Sequence, residues 1–473
     1  MSDPIWSWSA VNTVERIAAG EISLREVLAS VAERVAAVDG RVNALPTLCF
    51  ERANRSLAEI ENRPVSARGP FRGLPVTIKD SAAVAGVRTT YGSLAYADFV
   101  PSRSDYVVDA IESGGGVVYA KSNTPEFEAG ANTFNEVFGC TLNPWNLTRS
   151  AGGSSGGAAV AVATGMAFLS QGSDFACSLR YPAAFCNVVG LRPSPGLIPQ
   201  GPSGLPMQVL SVMGPLARTV EDVGLALDGM ARFDARDPLS RPLPAARSYL
   251  ESARRPEPPR SAAFSLTLGM AAIDAEVRQV VEDAVTTLVG AGLRVDASTP
   301  QIASSDGVFR TLRAYQFAAL RRDALEKHRA KLKPEVVWNI EEGLKLSAAD
   351  IAAAEAERGH LRRTMIAFLD THGILITPTA PVEPFPVEQR YVDEISGQKL
   401  ATYLDWLVLG YAISVCGCPA ISIPCGRTRA GLPVGLQLVA KPYAEAELLA
   451  AAAWCEAVLG CALRAPIDPA PGA

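Results

Sequence analysis

Apolar positions along the chain alternate between helical and extended periods. Ser23-Leu24-Arg25-Glu26 has the spacing of a capping box, and it opens a helix whose apolar face is Val27, Leu28, Val31 and Val35. Gly73-Leu74-Pro75-Val76-Thr77-Ile78-Lys79-Asp80 reads as a short buried strand that ends on two charges. A helix closing at Ala110–Ser113 is broken by Gly114-Gly115-Gly116 and followed by the strand Val117-Val118-Tyr119-Ala120. A helix over Ala158–Met166 and a strand at Phe168–Ser170 continue the alternation. Further strands are expected at Phe264–Leu268, Gly373–Thr377, Ala420–Ile423 and Val434–Val439. Helices are expected over Asp274–Val289 and Ala444–Val458, with a charged helical stretch from Thr311 to Phe368. Helices alternating with apolar strands predict an α/β fold, a sheet with helices on its faces.

Two uncharged runs, Ser150–Ser173 and Trp406–Gly426, call for a membrane test. The first opens on Gly and Ser; the second holds Pro419, Pro424 and three glycines. Neither offers the roughly 20 continuous apolar residues of a spanning helix, so both read as buried helix and strand.

Composition narrows the class. In 473 residues, 48% are hydrophobic and the net charge is −5, which fits a compact protein and argues against nonspecific nucleic-acid binding. Nine scattered cysteines, with a C-x-C at Cys416 and Cys418 but no histidine nearby, read as reduced buried thiols rather than a zinc site. Met1-Ser2-Asp3-Pro4 lacks the features of a signal peptide, so a cytoplasmic protein is expected.

The chemistry concentrates in hydroxyls. Gly152-Gly153-Ser154-Ser155-Gly156-Gly157 opens an Ala/Val-rich stretch, and a second serine follows in Gly172-Ser173-Asp174-Phe175-Ala176-Cys177-Ser178-Leu179-Arg180. A phosphate loop would need a lysine after Gly157, and none is there. A nucleophile elbow formally matches Gly152–Gly156, with Asp370 and His372 as paper triad partners, but loop residues rather than an apolar strand precede it. The chain's three histidines, His328, His360 and His372, are all remote in sequence from both clusters. A buried lysine can serve as base in its neutral form, and a second serine can relay the proton. Lys79, Ser154 and Ser178 carry those groups, although spacing alone does not select them. A lysine ending an apolar strand is most often a solvated surface residue.

The chain resembles the amidase signature family of Ser–cis-Ser–Lys hydrolases, most closely its stand-alone bacterial amidases. The similarity runs through Gly73–Asp80, Lys121–Phe127, Asn143–Asn146, Gly152–Gly157, Gly172–Ala183, Gly190–Pro193, Gly417–Ala420 and Gly431–Gln437. It implies one domain over 1–473 built on a large mixed central sheet covered by helices on both faces. Core motifs would lie at about 70–220 and 373–440, with a variable, mostly helical cover at about 233–370. It further implies Ser178 as nucleophile, Ser154 as cis-serine and relay, and Lys79 as base. The backbone N–H groups of Phe175, Ala176, Cys177 and Ser178 would form the oxyanion hole, with Ser155, Asp174 and Arg180 in support. The implied reaction converts a small-molecule carboxylic amide to acid plus ammonia or amine through an acyl-enzyme, with no metal or organic cofactor. No nucleic-acid or membrane partner is implied, and the oligomeric state, a homodimer included, stays open.

The family usually has two glycines where this chain has Ala176 and Cys177. If either position requires positive φ, a side chain costs about 1–2 kcal/mol, and Cys177 adds bulk beside the nucleophile. An amidase-fold protein with weakened or lost catalysis is therefore one alternative. The amidase-type component of a tRNA-dependent amidotransferase is another.

Overall fold

The computed structural model describes residues 3–242 and 248–470. Of the Pro/Arg/Ser-rich excursion from Phe233 to Arg260, residues 243–247 lie outside the described residues. Tyr249–Ala253 forms a short helix.

Among the described residues, eleven strands form one mixed sheet. From one edge the order is Thr47–Leu48, Val117–Ser122, Pro75–Lys79, Leu169–Asp174, Val212–Ala217 and Val189–Arg192. It continues through Ala420–Arg427, Pro433–Val439, Ile374–Pro378, Ala262–Phe264 and Val295–Ala297. Pro75–Lys79 runs parallel to both its neighbours, with Val76 opposite Leu169 and Lys79 opposite Ser122. The middle of the sheet is antiparallel, and Ala262–Phe264 restores parallel pairing at the far end. The carboxyl ends of the three parallel strands therefore bring Lys79, Ser122 and Asp174 to one edge. In open sheets that is where ligands are usually met.

Local signals account for much of this. Ser23 and Glu26 exchange both capping-box hydrogen bonds, and the helix runs Leu24–Val42 with Val27, Leu28, Val31 and Val35 buried. The charged stretch resolves into three helices, Ser305–His328, Pro334–Leu344 and Ala348–His372. Pro334 starts the second at the first-turn position that proline tolerates. The strand expected at Phe264–Leu268 lies earlier, at Ala262–Phe264, because its pairing partners end there. Thr267 and Leu268 enter a turn, with Leu268 at φ 52°. No helix among the described residues is long and apolar enough to cross a membrane. The first uncharged run becomes the wholly buried helix Gly156–Ala163 and the strand Leu169–Asp174. The second becomes Val408–Cys416 and Ala420–Arg427.

The helix Gly156–Ala163 is buried on every side, so its start is set by close approach rather than by amphipathicity. A Cβ on Gly157 would stand 2.4 Å from Asn123 N and 2.6 Å from Ala44 O, both backbone atoms that cannot turn aside. Gly157→Ala is expected to destabilise the fold by about 1–3 kcal/mol, the usual range for overpacking. Chemical denaturation checks this, and an unchanged midpoint would contradict the packing argument.

Candidate active site

Lys79 is fully buried, so the surface reading of a strand-end lysine does not hold. Its Nζ stands 2.7 Å from Ser154 Oγ, 2.9 Å from Ser173 Oγ and 2.7 Å from Glu128 Oε1. Burial pushes the ammonium below the usual lysine range, and Glu128 opposes that shift without cancelling it. Glu128 is itself held below the ordinary glutamate value. Burial would raise it, but Lys79, Ser173 and Ser81 overcome that. Ser173 Oγ and Ser81 Oγ both donate to Glu128 Oε1.

Ser154 follows a cis peptide bond from Gly153. Thr133 Oγ1 donates to Gly152 O and accepts from Gly156 N, clamping the two ends of the Gly/Ser segment. The second serine cluster is tied to the first through Ser155, whose N–H donates to Ser178 O at 3.3 Å and whose hydroxyl donates to Ser173 O. The fold thus brings Lys79, Ser154, Ser155 and Ser178 together from segments far apart in sequence. Among the described residues, however, no hydrogen bond joins the Ser154 and Ser178 hydroxyls.

Asp174 fixes the loop that carries Ser178. Its carboxylate accepts from Arg180 Nε and Nη2 at 3.0 and 2.8 Å, from Arg192 Nη1 at 3.2 Å and from Leu179 N at 3.1 Å. Burial alone would raise its pKa, but the arginines, Arg180 foremost, hold it at about 2. Arg180 Nη1 also donates to Gln437 and to Gly410 O, and Nη2 to Ala176 O and Ser414.

These bonds orient the loop's peptides. Arg192 takes Asp174 O, Arg180 and Ser414 take Ala176 O, Tyr181 N takes Cys177 O, and Ser155 N takes Ser178 O. A trans peptide points its N–H opposite its carbonyl, so the N–H groups of Phe175 and Cys177 face away from the arginines. Among the described residues, the N–H groups of Phe175, Ala176, Cys177 and Ser178 donate to no protein acceptor. Four successive amides are free to meet a developing negative charge.

The strain expected at Ala176-Cys177 is absent, since neither residue has positive φ. Cys177 does not crowd the cavity beside the loop either. It is buried against Gly410, where an added Cβ would stand 2.5 Å from Cys177 Cβ and from Ala176 O. A glycine on the facing helix thus accommodates the larger loop residue. Burial pushes the Cys177 thiol far up, which leaves no thiolate for nucleophilic attack. The paper triad fails too. Asp370 bonds Lys441 at 2.8 Å, and His372 stands 3.4 Å from Asp296 and stacks on Phe368.

A cavity of about 560 Å³ meets this centre at Glu128 and Phe175. Tyr91, Phe99, Phe127 and Phe317 line it, and Arg313 stands 5.2 Å from the centre of the Phe175 ring.

Residues 26–449 match the amidase family. The chain belongs to that family. It is 36% identical to an acylamidase of Rhodococcus erythropolis over 97% of both chains. It is 34% identical to the amidase-type component of the glutamyl-tRNA(Gln) amidotransferase of Moorella thermoacetica, covering 91% of this chain and 92% of that one. A solved bacterial aryl acylamidase of the amidase signature enzymes superposes with a TM-score of 0.88 at 26% identity, covering 96% and 97%. The protein is an amide-hydrolysing enzyme on the amidase-signature fold. The motifs had pointed to Lys79, Ser154 and Ser178, but not to Glu128, Ser173, Ser414 or Gln437. Glu128 lies one residue past the Lys121–Phe127 motif, a position that carried no signal of its own.

Because Asp174 is held near 2 and an unfolded aspartate titrates near about 3.9, its stabilising contribution is complete above pH ~4. It is lost as pH falls from there toward 2. Asp174→Asn is expected to cost about 3–5 kcal/mol at neutral pH, because it leaves two buried guanidinium groups without their anion. It should also flatten the acid-unfolding curve in that window. A neutral-pH Tm equal to wild type would contradict the assignment.

Proposed function

We propose that the enzyme hydrolyses carboxylic amides of the acyl-anilide type by a Lys79–Ser154–Ser178 mechanism. One observation carries the proposal: Lys79 contacts Ser154 beside a loop whose four amide donors are free of protein acceptors. Neutral Lys79 takes a proton through Ser154 as Ser178 Oγ attacks the amide carbonyl. The carbonyl oxygen becomes an oxyanion facing the N–H groups of Phe175–Ser178, which are already aligned before charge develops. The relay returns the proton to the departing nitrogen, the C–N bond breaks, and an acyl-enzyme remains on Ser178. Water, deprotonated along the same route, releases the acid. The link between the Ser154 and Ser178 hydroxyls closes when substrate is bound, since such catalytic contacts are commonly loose in the free enzyme.

Two features favour an aromatic amide: the aromatic lining of the cavity and the similarity to acylamidases along the whole chain. The relative from Moorella supports a second reading, in which the chain works within an amidotransferase and releases ammonia from glutamine. A small polar side chain would leave most of the aromatic wall unused.

Release of amine or ammonia from acyl anilides, aliphatic amides and glutamine separates the readings. Anilides are expected to be turned over fastest; turnover of glutamine alone would favour the amidotransferase reading. Lys79→Ala should lower kcat/KM by about 10²–10⁴-fold, the range for a lost general base. Ser178→Ala should abolish labelling by a fluorophosphonate in intact-mass spectra. Labelling that survives Ser178→Ala would overturn the nucleophile assignment.

A further inference from the structure

Glu128 belongs to no part of the mechanism above, yet it touches the base directly. An ammonium has three donors and no acceptor. Ser154 Oγ, Ser173 Oγ and Glu128 Oε1 account for all three on Lys79. While all three are donated, Nζ has no lone pair to offer Ser154. Of the three partners only Glu128 is an anion.

The chain places Glu128 there against its own backbone preference. Phe127 and Glu128 both lie in the left-handed region, at φ 46° and 61°, which L side chains usually avoid. Packing holds them. The Phe127 ring lies between Tyr91 and Tyr96, with the Arg321 guanidinium 4.7 Å from its centre. One carboxylate oxygen of Glu128 then collects Lys79, Ser173 and Ser81. About 29% of the side chain is exposed, and Glu128 lines the substrate cavity.

Resting on the amidase reading, we propose that Glu128 is a positioning residue that holds Lys79 in its ammonium form in the free enzyme. It thereby sets the pH at which the amine becomes a base. The other charges around the pair do not take over this task. Asp174 acts on Lys79 from behind but is bound by Arg180 and Arg192. The Cys177 thiol is neutral. Asp80, next along the strand, pairs with Lys121 at 3.0 Å. On the other side Arg321 faces Glu128 as a like charge to Lys79, so it weakens the hold of Glu128 without replacing it.

The sign follows from charge. Removing the carboxylate while keeping an acceptor oxygen destabilises the ammonium, so the amine becomes free at lower pH. In Glu128→Gln the acid limb of kcat/KM against pH is expected to move down by about one to three pH units, the usual effect of one contacting opposite charge. The same shift should appear in the pH dependence of fluorophosphonate labelling of Ser178. An unmoved limb with a uniformly lower rate would mean that Glu128 is only a prop, and would overturn the proposal. Titrating the Lys79 signal in protein labelled with ¹³Cε-lysine, assigned from its loss in Lys79→Arg, gives a readout that needs no turnover. A wild-type protein inert toward amides and label would sink the amidase reading. A Lys79 titration point that falls on Glu128→Gln would still support the role of Glu128, and one that stays fixed would refute it.

Discussion

The Asp174 carboxylate, buried between Arg180 and Arg192, is the constraint on which the site depends. A charge taken out of water is tolerated only where partners satisfy its lone pairs. Here those partners come from the nucleophile loop, the helix Arg180–Cys186 and the strand Val189–Arg192. Arg180 then carries the order onward to Gly410 and Ser414 on one helix and Gln437 on the strand Pro433–Val439. The result is a loop whose carbonyls are held inward, so its N–H groups have nowhere to point but toward the reacting centre. Preorganisation of this kind is a property of the fold rather than of the substrate.

The second requirement is a lysine without water. Placing Lys79 at the carboxyl end of an inner parallel strand desolvates it from every side except that of Glu128 and the cavity. The two serine clusters supply polar contacts in place of solvent. Burial and Glu128 pull the lysine in opposite directions, and the balance between them decides when it can accept a proton.

Elements with a local signature were legible in the sequence. The capping box at Ser23, the strands ending at Lys79 and Ser122 and the helix from Ala275 all lie within a few residues of expectation. Val189–Arg192 and Val212–Ala217 gave no such signal. They are short, carry glycine or proline, and become strands through their neighbours in the sheet. The catalytic candidates were visible through motifs and not through spacing, because their proximity is created by parallel strand ends distant in sequence. Glu128 was silent for the same reason. A glutamate in a loop has no periodicity, and only the left-handed turn at Phe127 and Glu128 directs it onto Lys79. Ala176 and Cys177 read as a source of strain because their partner, Gly410, lies 233 residues beyond Cys177 and could not be linked to it from the sequence.

The central claim is that the loop from Phe175 to Ser178 is built to hold an oxyanion beside the Ser178 hydroxyl. A crystal structure of the fluorophosphonate adduct tests it most directly. The account predicts phosphorus bonded to Ser178 Oγ, with one phosphoryl oxygen about 2.7–3.1 Å from at least two of the backbone nitrogens of Phe175, Ala176, Cys177 and Ser178. An adduct on Cys177 or Ser154, or a phosphoryl oxygen turned into the cavity away from those amides, would contradict it.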